Sequence, residues 1–442
     1  MMSVSLSKDR LERTHPEFFR ETTWLREVPG EIINFRFFKS NIRSRIAVEE
    51  SGGFHEEVLM GIAYAIQTVG PTPMIYAEGL RFGMEEAIKK VTKKPASPWP
   101  KLINDLTNEN EDRIDFVFST TCQMTLDNHR EALIGVWRNR TQKFHFLCVV
   151  HHGQSIEFIQ GVDDMISSSH FHIITLSEHT ARATQFSLDW NLARQNSKTT
   201  LPMDTISIHV LVPVFPPPLV QLQPRQKLSK AVIQGSIAKK RRNYDDLLSE
   251  LNQNVAADPE FWGYTKGEGG SLVPINSLKG NDESFKLLLM GMEDSPEVII
   301  PDRLRNIVSK VSDLPYSNFY AAMQQQDILL PTFFDESYYT ERASSSIPAS
   351  IISKVPVLAT SMLRTAYTYV TDDGSIHRPG NTSEIAAIKH LRKSGFIPGG
   401  GGWPKSRKQL HQQQLDVLNY NKKTMQGILT AHFSRQYRFC NY

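Results

Sequence analysis

Short apolar runs alternate along this chain with stretches in which apolar side chains return at helical spacing. SRIAVEES (44–51), PMIYAEG (73–79), IDFVFSTT (114–121), FHFLCVVHH (144–152), HFHIITLS (170–177) and TISIHVLVPVF (205–215) read as strands. FHEEVLMGIAYAIQTVG and LDNHREALIGVWRNR read as helices between them. Strands that are apolar at nearly every position, separated by helices, predict a parallel sheet covered on both faces. The pattern breaks at PVFPPPLVQLQPRQ (213–226), where prolines stand at 213, 216, 217 and 218. Fixed φ and missing N–H groups make such a stretch a stiff connector.

A second series follows. KAVIQG, FKLLLMGM, DILLPTFF and VPVLATS read as strands. KKRRNYDDLLSELNQ and TERASSSIPASIIS read as helices, NFYAAMQQQ as a helix feeding DILLPTFF, and IPDRLRNIVSKVSDL as a helix or turn. The expected organisation is an N-terminal extension (1–43), a Rossmann-like domain (44–215), a proline-rich linker (216–227), a second Rossmann-like domain (228–388) and a C-terminal helical tail (389–442). With 442 residues and a 40% hydrophobic fraction, two buried cores are expected, and disordered or fibrous classes are excluded.

Charge changes the picture at one end. The formal net charge is only +3, yet residues 389–442 hold ten basic residues against the single acid Asp416, a local +9. Cys122, Cys148 and Cys440 match neither a zinc spacing nor a disulfide framework, which predicts a reducing compartment. The chain shows no signal-peptide pattern and no apolar run of spanning length, so a cytoplasmic protein with no membrane partner is expected.

Candidate chemistry gathers at strand ends. ESGGFHEEV (50–58) is a strand, a glycine turn and a helix start, so Gly52, Gly53, His55 and Glu56 are candidate binding residues. His151 and His152 end a strand and are candidates for acid–base work, with His152 placed in the binding set; His170 and His172 share a strand face, but no acid or cysteine completes a metal set. Lys239, Lys240, Arg241 and Arg242 are read as opening a helix at a strand end, where anions bind in open α/β sheets; the alternative is a solvated face paired with Asp245 and Asp246. Asp335, Glu336 and Glu341 follow another strand end and suit a guanidinium or a proton-accepting role, or serve as ordinary helix N-terminal acids. No P-loop, dinucleotide fingerprint or nucleophile elbow is present, and no cofactor or metal is expected.

FKLLLMG, NFYAAMQQQDILLPTF and YYTERASSSIPASIISKVPVLAT, in that order, resemble the second domain of GT-B glycosyltransferases, and the resemblance spans roughly residues 44–395. It implies two doubly wound α/β domains in a GT-B-like arrangement. It also implies a donor site with two glutamates eight positions apart; here the first position is Glu341 and the second is Ala349, and Ser236 stands where an arginine is usual. ESGGFHEEVLMGI and VIQGSIAKKRRNYDDLL are similar to a fungal group associated with arginine-containing cyclodipeptide synthases. That narrower resemblance implies an enzyme of secondary-metabolite biosynthesis that joins arginyl and a second aminoacyl group, with arginyl-tRNA and another aminoacyl-tRNA as partners and a diketopiperazine as product. It implies an acidic motif of two aspartates and a glutamate; Asp245, Asp246 and Glu250 come nearest, with one residue too many between them, and DESYYTE (335–341) is looser. The alternative is a GT-B glycosyltransferase using a nucleotide sugar on a small acceptor.

Overall fold

A computed structural model describes residues 45–110, 113–154, 156–194, 205–217, 225–267, 271–275 and 283–439. The expected N-terminal extension, most of the proline linker and Cys440 lie outside these residues. The described chain forms two compact α/β units. One holds residues 45–216, Tyr339–Ala343 and 415–439; the other holds Pro217–Tyr338 and Ser344–Gln414. They are called the first and second units.

The first unit is built on six parallel strands: β1 (Ile46–Glu50), β2 (Met74–Ala77), β3 (Phe116–Ser119), β4 (His145–Val150), β5 (Phe171–Thr175) and β6 (Ser207–Val210). Their spatial order is β2-β1-β3-β4-β5-β6. Val48 of β1 lies level with Ile75 on one side and Phe118 on the other. Helices α1 (Glu56–Thr68), α2 (Met84–Thr92), α3 (Pro100–Leu106), α4 (Cys122–Asn139), α5 (Asp163–Ser167) and α6 (Glu178–Arg194) supply the crossovers. Parallel neighbours demand such crossovers, and helices on both faces explain why β1, β3 and β4 are buried at every position. Trp99, Trp137, Phe144, Phe146 and Phe171 anchor the core; each fully buried side chain of this size contributes roughly 1.5–3 kcal/mol of transfer free energy.

The second unit repeats the plan with β7 (Lys230–Gln234), β10 (Lys286–Met290), β11 (Val308–Val311), β12 (Ile328–Leu329), β13 (Val357–Ala359) and β14 (Ser375–His377), all parallel, in the order β11-β10-β7-β12-β13-β14. A small antiparallel pair, β8 (Tyr264–Lys266) with β9 (Leu272–Pro274), stands apart. Its helices are α7 (Tyr244–Ala257), α8 (Tyr316–Gln324), α9 (Ser337–Thr340), α10 (Ser346–Ser353), α11 (Ser361–Ala366) and α12 (Glu384–Ser394). Helix α13 (Arg407–Phe439) closes the chain. Arg392 is buried in the second core and donates to the carbonyls of Leu228, Phe261 and Glu283. From α13, the Asn421 amide donates to Val212 O (2.6 Å) and accepts from Val212 N (3.0 Å), as a neighbouring strand would.

Several local expectations change. The four-base run does not open a helix, since α7 begins only at Tyr244. The helix expected through 340–353 is two short ones, α9 and α10, with an irregular stretch between them. IPDRLRNIVSKVSDL holds a 3-10 turn (Asp302–Leu304) and the edge strand β11. Cys122 and Cys148 are joined by a disulfide between the start of α4 and β4, so the inference of a reducing compartment from the cysteine count loses its support. Among the described residues no helix is long and apolar enough to cross a membrane.

Candidate functional site

In both sheets the strand order reverses once, at β1/β3 in the first unit and at β7/β12 in the second. Helices leave in opposite directions from the two sides of such a point. The carboxyl ends of the strands there open a crevice in which open α/β sheets bind ligands.

At the first crevice β1 ends in two glutamates with no exposed surface. Glu49 accepts from Trp99 Nε1 (2.6 Å) and Thr125 Oγ1 (2.8 Å). Burial pushes its carboxyl up to about 7 against the pull of those donors. Glu50 turns back on the glycine loop: its Oε1 accepts from Gly52 N (3.1 Å) and Phe54 N (3.3 Å), and its Oε2 accepts from the Thr120 hydroxyl. Burial raises this carboxyl too, and the Thr120 hydrogen bond opposes the rise. Gly53 has φ +64°, which favours glycine in the turn, and a Cβ on Gly52 would stand 2.9 Å from Met124 Sδ, so that side chain would have to shift.

The loop delivers His55 to His151, from the end of β4; the rings stack with centroids 3.8 Å apart. His151 Nε2 lies 2.8 Å from Thr120 O. A carbonyl only accepts, so Nε2 carries the hydrogen and Nδ1 of the neutral ring carries the lone pair. Burial lowers the His151 pKa and favours that neutral form. Next to it, His152 Nε2 is 3.0 Å from Glu341 Oε1. The segment Tyr339–Ala343 runs along this edge: Gly153 N donates to Glu341 O, Ala343 N to His151 O, and His179 Nε2 to Arg342 O. Glu341, expected at a donor site of the second domain, therefore belongs with the histidines of the first unit. Glu56 is buried and pairs with Arg81 (2.9 Å).

At the second crevice Gly235 follows β7 directly. A Cβ on Gly291, which follows β10, would meet Gly235 O at 1.9 Å, so the two strand ends approach as only glycine allows. Arg242 is 4% exposed. Its Nη2 donates to Gln234 O (3.1 Å) and Ser346 Oγ (2.8 Å), and its guanidinium lies over Phe333 (4.7 Å). Lys239 pairs with Asp245 (3.0 Å), Lys240 with Asp294 (2.9 Å), and Arg241 Nη1 meets Tyr338 OH (3.3 Å). Asp246 accepts from Asn243 Nδ2 and Glu250 from Ser383 Oγ at the start of α12, so the three acids of DDLLSE serve separate bonds. Asp335 is exposed and accepts from Ser337 N, and Glu336 is exposed. Ala349 is buried inside α10.

Sequence reasoning missed Glu49, Glu50, Arg81 and Thr120. Only the adjacency of AVEE to a glycine turn hinted at them. His145 Nδ1 and His172 Nε2 share a 2.9 Å hydrogen bond, with His170 stacked on His145 at 4.5 Å. No group of three or more His, Cys, Asp or Glu among the described residues could hold a metal ion.

No protein-family model matches the chain, and no curated protein matches it. Solved structures do share its fold. Anabaena HepE in complex with UDP and glucose aligns with a TM-score of 0.51 at 13% identity, over 88% of this chain and 100% of that one. An α-glucosyltransferase in complex with UDP aligns with a TM-score of 0.51 at 11% identity, over 90% and 100%. The chain thus has the two-Rossmann, glycosyltransferase-like fold. These neighbours speak against the expectation of a cyclodipeptide synthase: the two that align with a TM-score of 0.51 are both complexes with UDP. They speak equally against arginyl-tRNA and a second aminoacyl-tRNA as partners and a diketopiperazine as product. In the basic run, Arg242 is buried in the fold, while Lys239 and Lys240 form part-exposed ion pairs with Asp245 and Asp294.

Proposed function

We propose that this chain is a glycosyltransferase that moves a sugar from a nucleoside diphosphate to a small-molecule acceptor. The observation that carries the reading is the fold it shares with two proteins holding UDP, one of them with glucose as well. In this reading the second crevice takes the donor diphosphate. Its glycine strand ends, Gly235 and Gly291, let backbone approach the phosphates, and α10 directs its N-terminus there through Ser346, which bonds Gln234 O at 2.7 Å. Ala349 offers no hydrogen-bond acceptor to a ribose hydroxyl, so donor recognition rests on other groups. The first crevice takes the acceptor.

The reaction requires an acceptor hydroxyl to attack the anomeric carbon while the carbon–oxygen bond to the diphosphate breaks. The hydroxyl proton must pass to a base and the nucleoside diphosphate leaves. His151, neutral with its lone pair on Nδ1, and His55 stacked against it are the groups we assign to that proton. Glu341 orients His152 beside them.

The test is to incubate the purified chain with UDP-, ADP- and GDP-sugars and a panel of hydroxylated acceptors. Released nucleotide and glycosylated product are read by mass spectrometry. Transfer from at least one donor is expected, and His151→Ala and His55→Ala should each lower it by roughly 10²–10⁴-fold. Absence of binding by UDP, ADP and GDP up to about 1 mM, the upper end of ordinary substrate affinities, would overturn the reading.

A further inference from the structure

Phe54 is the residue immediately before His55, and 55% of it is exposed. An exposed phenylalanine on a loose loop needs no explanation, but the backbone of this loop is anchored. The Phe54 N–H donates to the buried Glu50, as does that of Gly52. Ser51 Oγ bonds Thr125 Oγ1 at 2.8 Å. On the other side the Arg81 guanidinium lies 5.4 Å from the centroids of both Phe54 and Phe82. Arg81 is fixed in turn by Glu56, whose Oε1 accepts from Arg81 Nε (2.9 Å) and Arg81 N (3.3 Å) and whose Oε2 accepts from Nη2 (3.3 Å). Phe82 has φ +53°, a left-handed conformation that bulky residues rarely adopt. Strain of this kind persists where surrounding structure imposes it, and such places cluster at ligand clamps. Met124, 38% exposed, packs its sulfur toward Gly52 on the same loop.

The edge therefore carries a preorganised apolar and aromatic platform one residue from the histidine pair. The Arg81 charge is already matched by the Glu56 carboxylate. What the platform offers is π surface and thioether rather than net charge or a row of hydrogen-bond donors. A sugar can lay only one C–H face on Phe54, and an anionic acceptor finds the Arg81 charge already matched. A flat ring finds a face to stack on, with offset geometry available against Phe54. We propose that the acceptor is a neutral planar aromatic alcohol, a phenol, that stacks on Phe54 and presents its hydroxyl to His55 and His151. The proposal rests on the glycosyltransferase reading and names its acceptor class.

The test uses 4-methylumbelliferone, a fluorescent phenol, titrated into the full chain without nucleotide. Saturable binding is expected, weakened tenfold or more by Phe54→Ala and restored by Phe54→Trp. Phe186→Ala, at a residue 67% exposed on α6, should bind as the parent does. In transfer assays Phe54→Ala should raise the KM for the phenol tenfold while the donor KM stays within about twofold. Absence of phenol binding, equal binding by the parent and Phe54→Ala, or a preference for sugar acceptors over phenols would each overturn the proposal. The titration needs no donor, so its failure sinks the acceptor class alone. Failure to bind any nucleoside diphosphate sinks the transferase reading instead.

Discussion

At the scale of single residues, the two consecutive glutamates closing β1 have different jobs. Alternation along a strand sends their side chains to opposite faces. Glu50 organises the glycine loop. Glu49 sits in the core and keeps a proton that water would remove. Its carboxyl ionises near 4.5 when unfolded and at about 7 in the fold, with burial as the main cause. The folded state therefore binds the extra proton between those values. The stability this contributes is fully present below about pH 4.5 and is lost as pH rises through about 7. His151 and His209 act with the opposite sign. Burial lowers both, so the unfolded chain takes up those protons first and stability falls as pH drops below about 6.5. Glu49→Gln separates the two effects. The amide oxygen can keep the Trp99 bond, and Thr125 Oγ1 can accept from the amide nitrogen. Relative to the parent, the variant should gain stability steadily between pH 5 and pH 8, by an amount of order 1–3 kcal/mol. Urea unfolding across that range checks it, and a constant difference between the two proteins would show that Glu49 is ionised throughout.

At the scale of elements, the central strands were legible because burial on both faces leaves a run of apolar residues that nothing else in the chain imitates. β3 and β4 fall inside FVFS and HFLCVV as the pattern predicts. The edges of the second sheet were not legible, although β2 and β6 at the edges of the first were. β11 is only VSKV, with Ser309 and Lys310 half-buried, and β14 is the three residues SIH. An edge strand covers one side only and loses the continuous pattern. Site partners were hidden for another reason, their distance along the chain. Glu49 meets Trp99 50 positions away and Thr125 76 away, and Arg242 meets Ser346 104 away. Nor does the sequence show that Arg242, alone in the basic run, points inward. The Cys122–Cys148 bond was hidden likewise. It ties the first turn of α4 to β4 across a separation of 26 residues. Loop-closure entropy for that length gives about 3.5 kcal/mol of stabilisation. A Cys122→Ala, Cys148→Ala double variant should unfold at correspondingly lower denaturant, and dithiothreitol should lower the parent to near the same midpoint. An unchanged midpoint under reduction would mean that the two sulfurs are thiols in solution.

At the scale of the whole molecule, local charge is a weaker guide to a site than topology. Residues 389–442 carry nine more basic than acidic groups, and of these basic groups Arg392 is buried in the fold. The two switch points are better guides, because topology places them whatever the charge. They also divide the proposed labour, donor in one unit and acceptor in the other, and that division can be read without measuring turnover. Amide hydrogen exchange with saturating UDP should slow at 235–241, 291–294 and 344–349 and leave 51–56 and 78–83 unchanged. A phenol should do the reverse, slowing exchange at 51–56 and 78–83. Bound ligand at a hundredfold excess over Kd stabilises the region it closes by about 2.7 kcal/mol, which is ample for exchange to register. Protection by UDP at the glycine loop of the first unit would reverse the assignment of the two crevices. Uniform slowing across both units would mean that UDP acts on the stability of the whole chain rather than at a strand-end crevice.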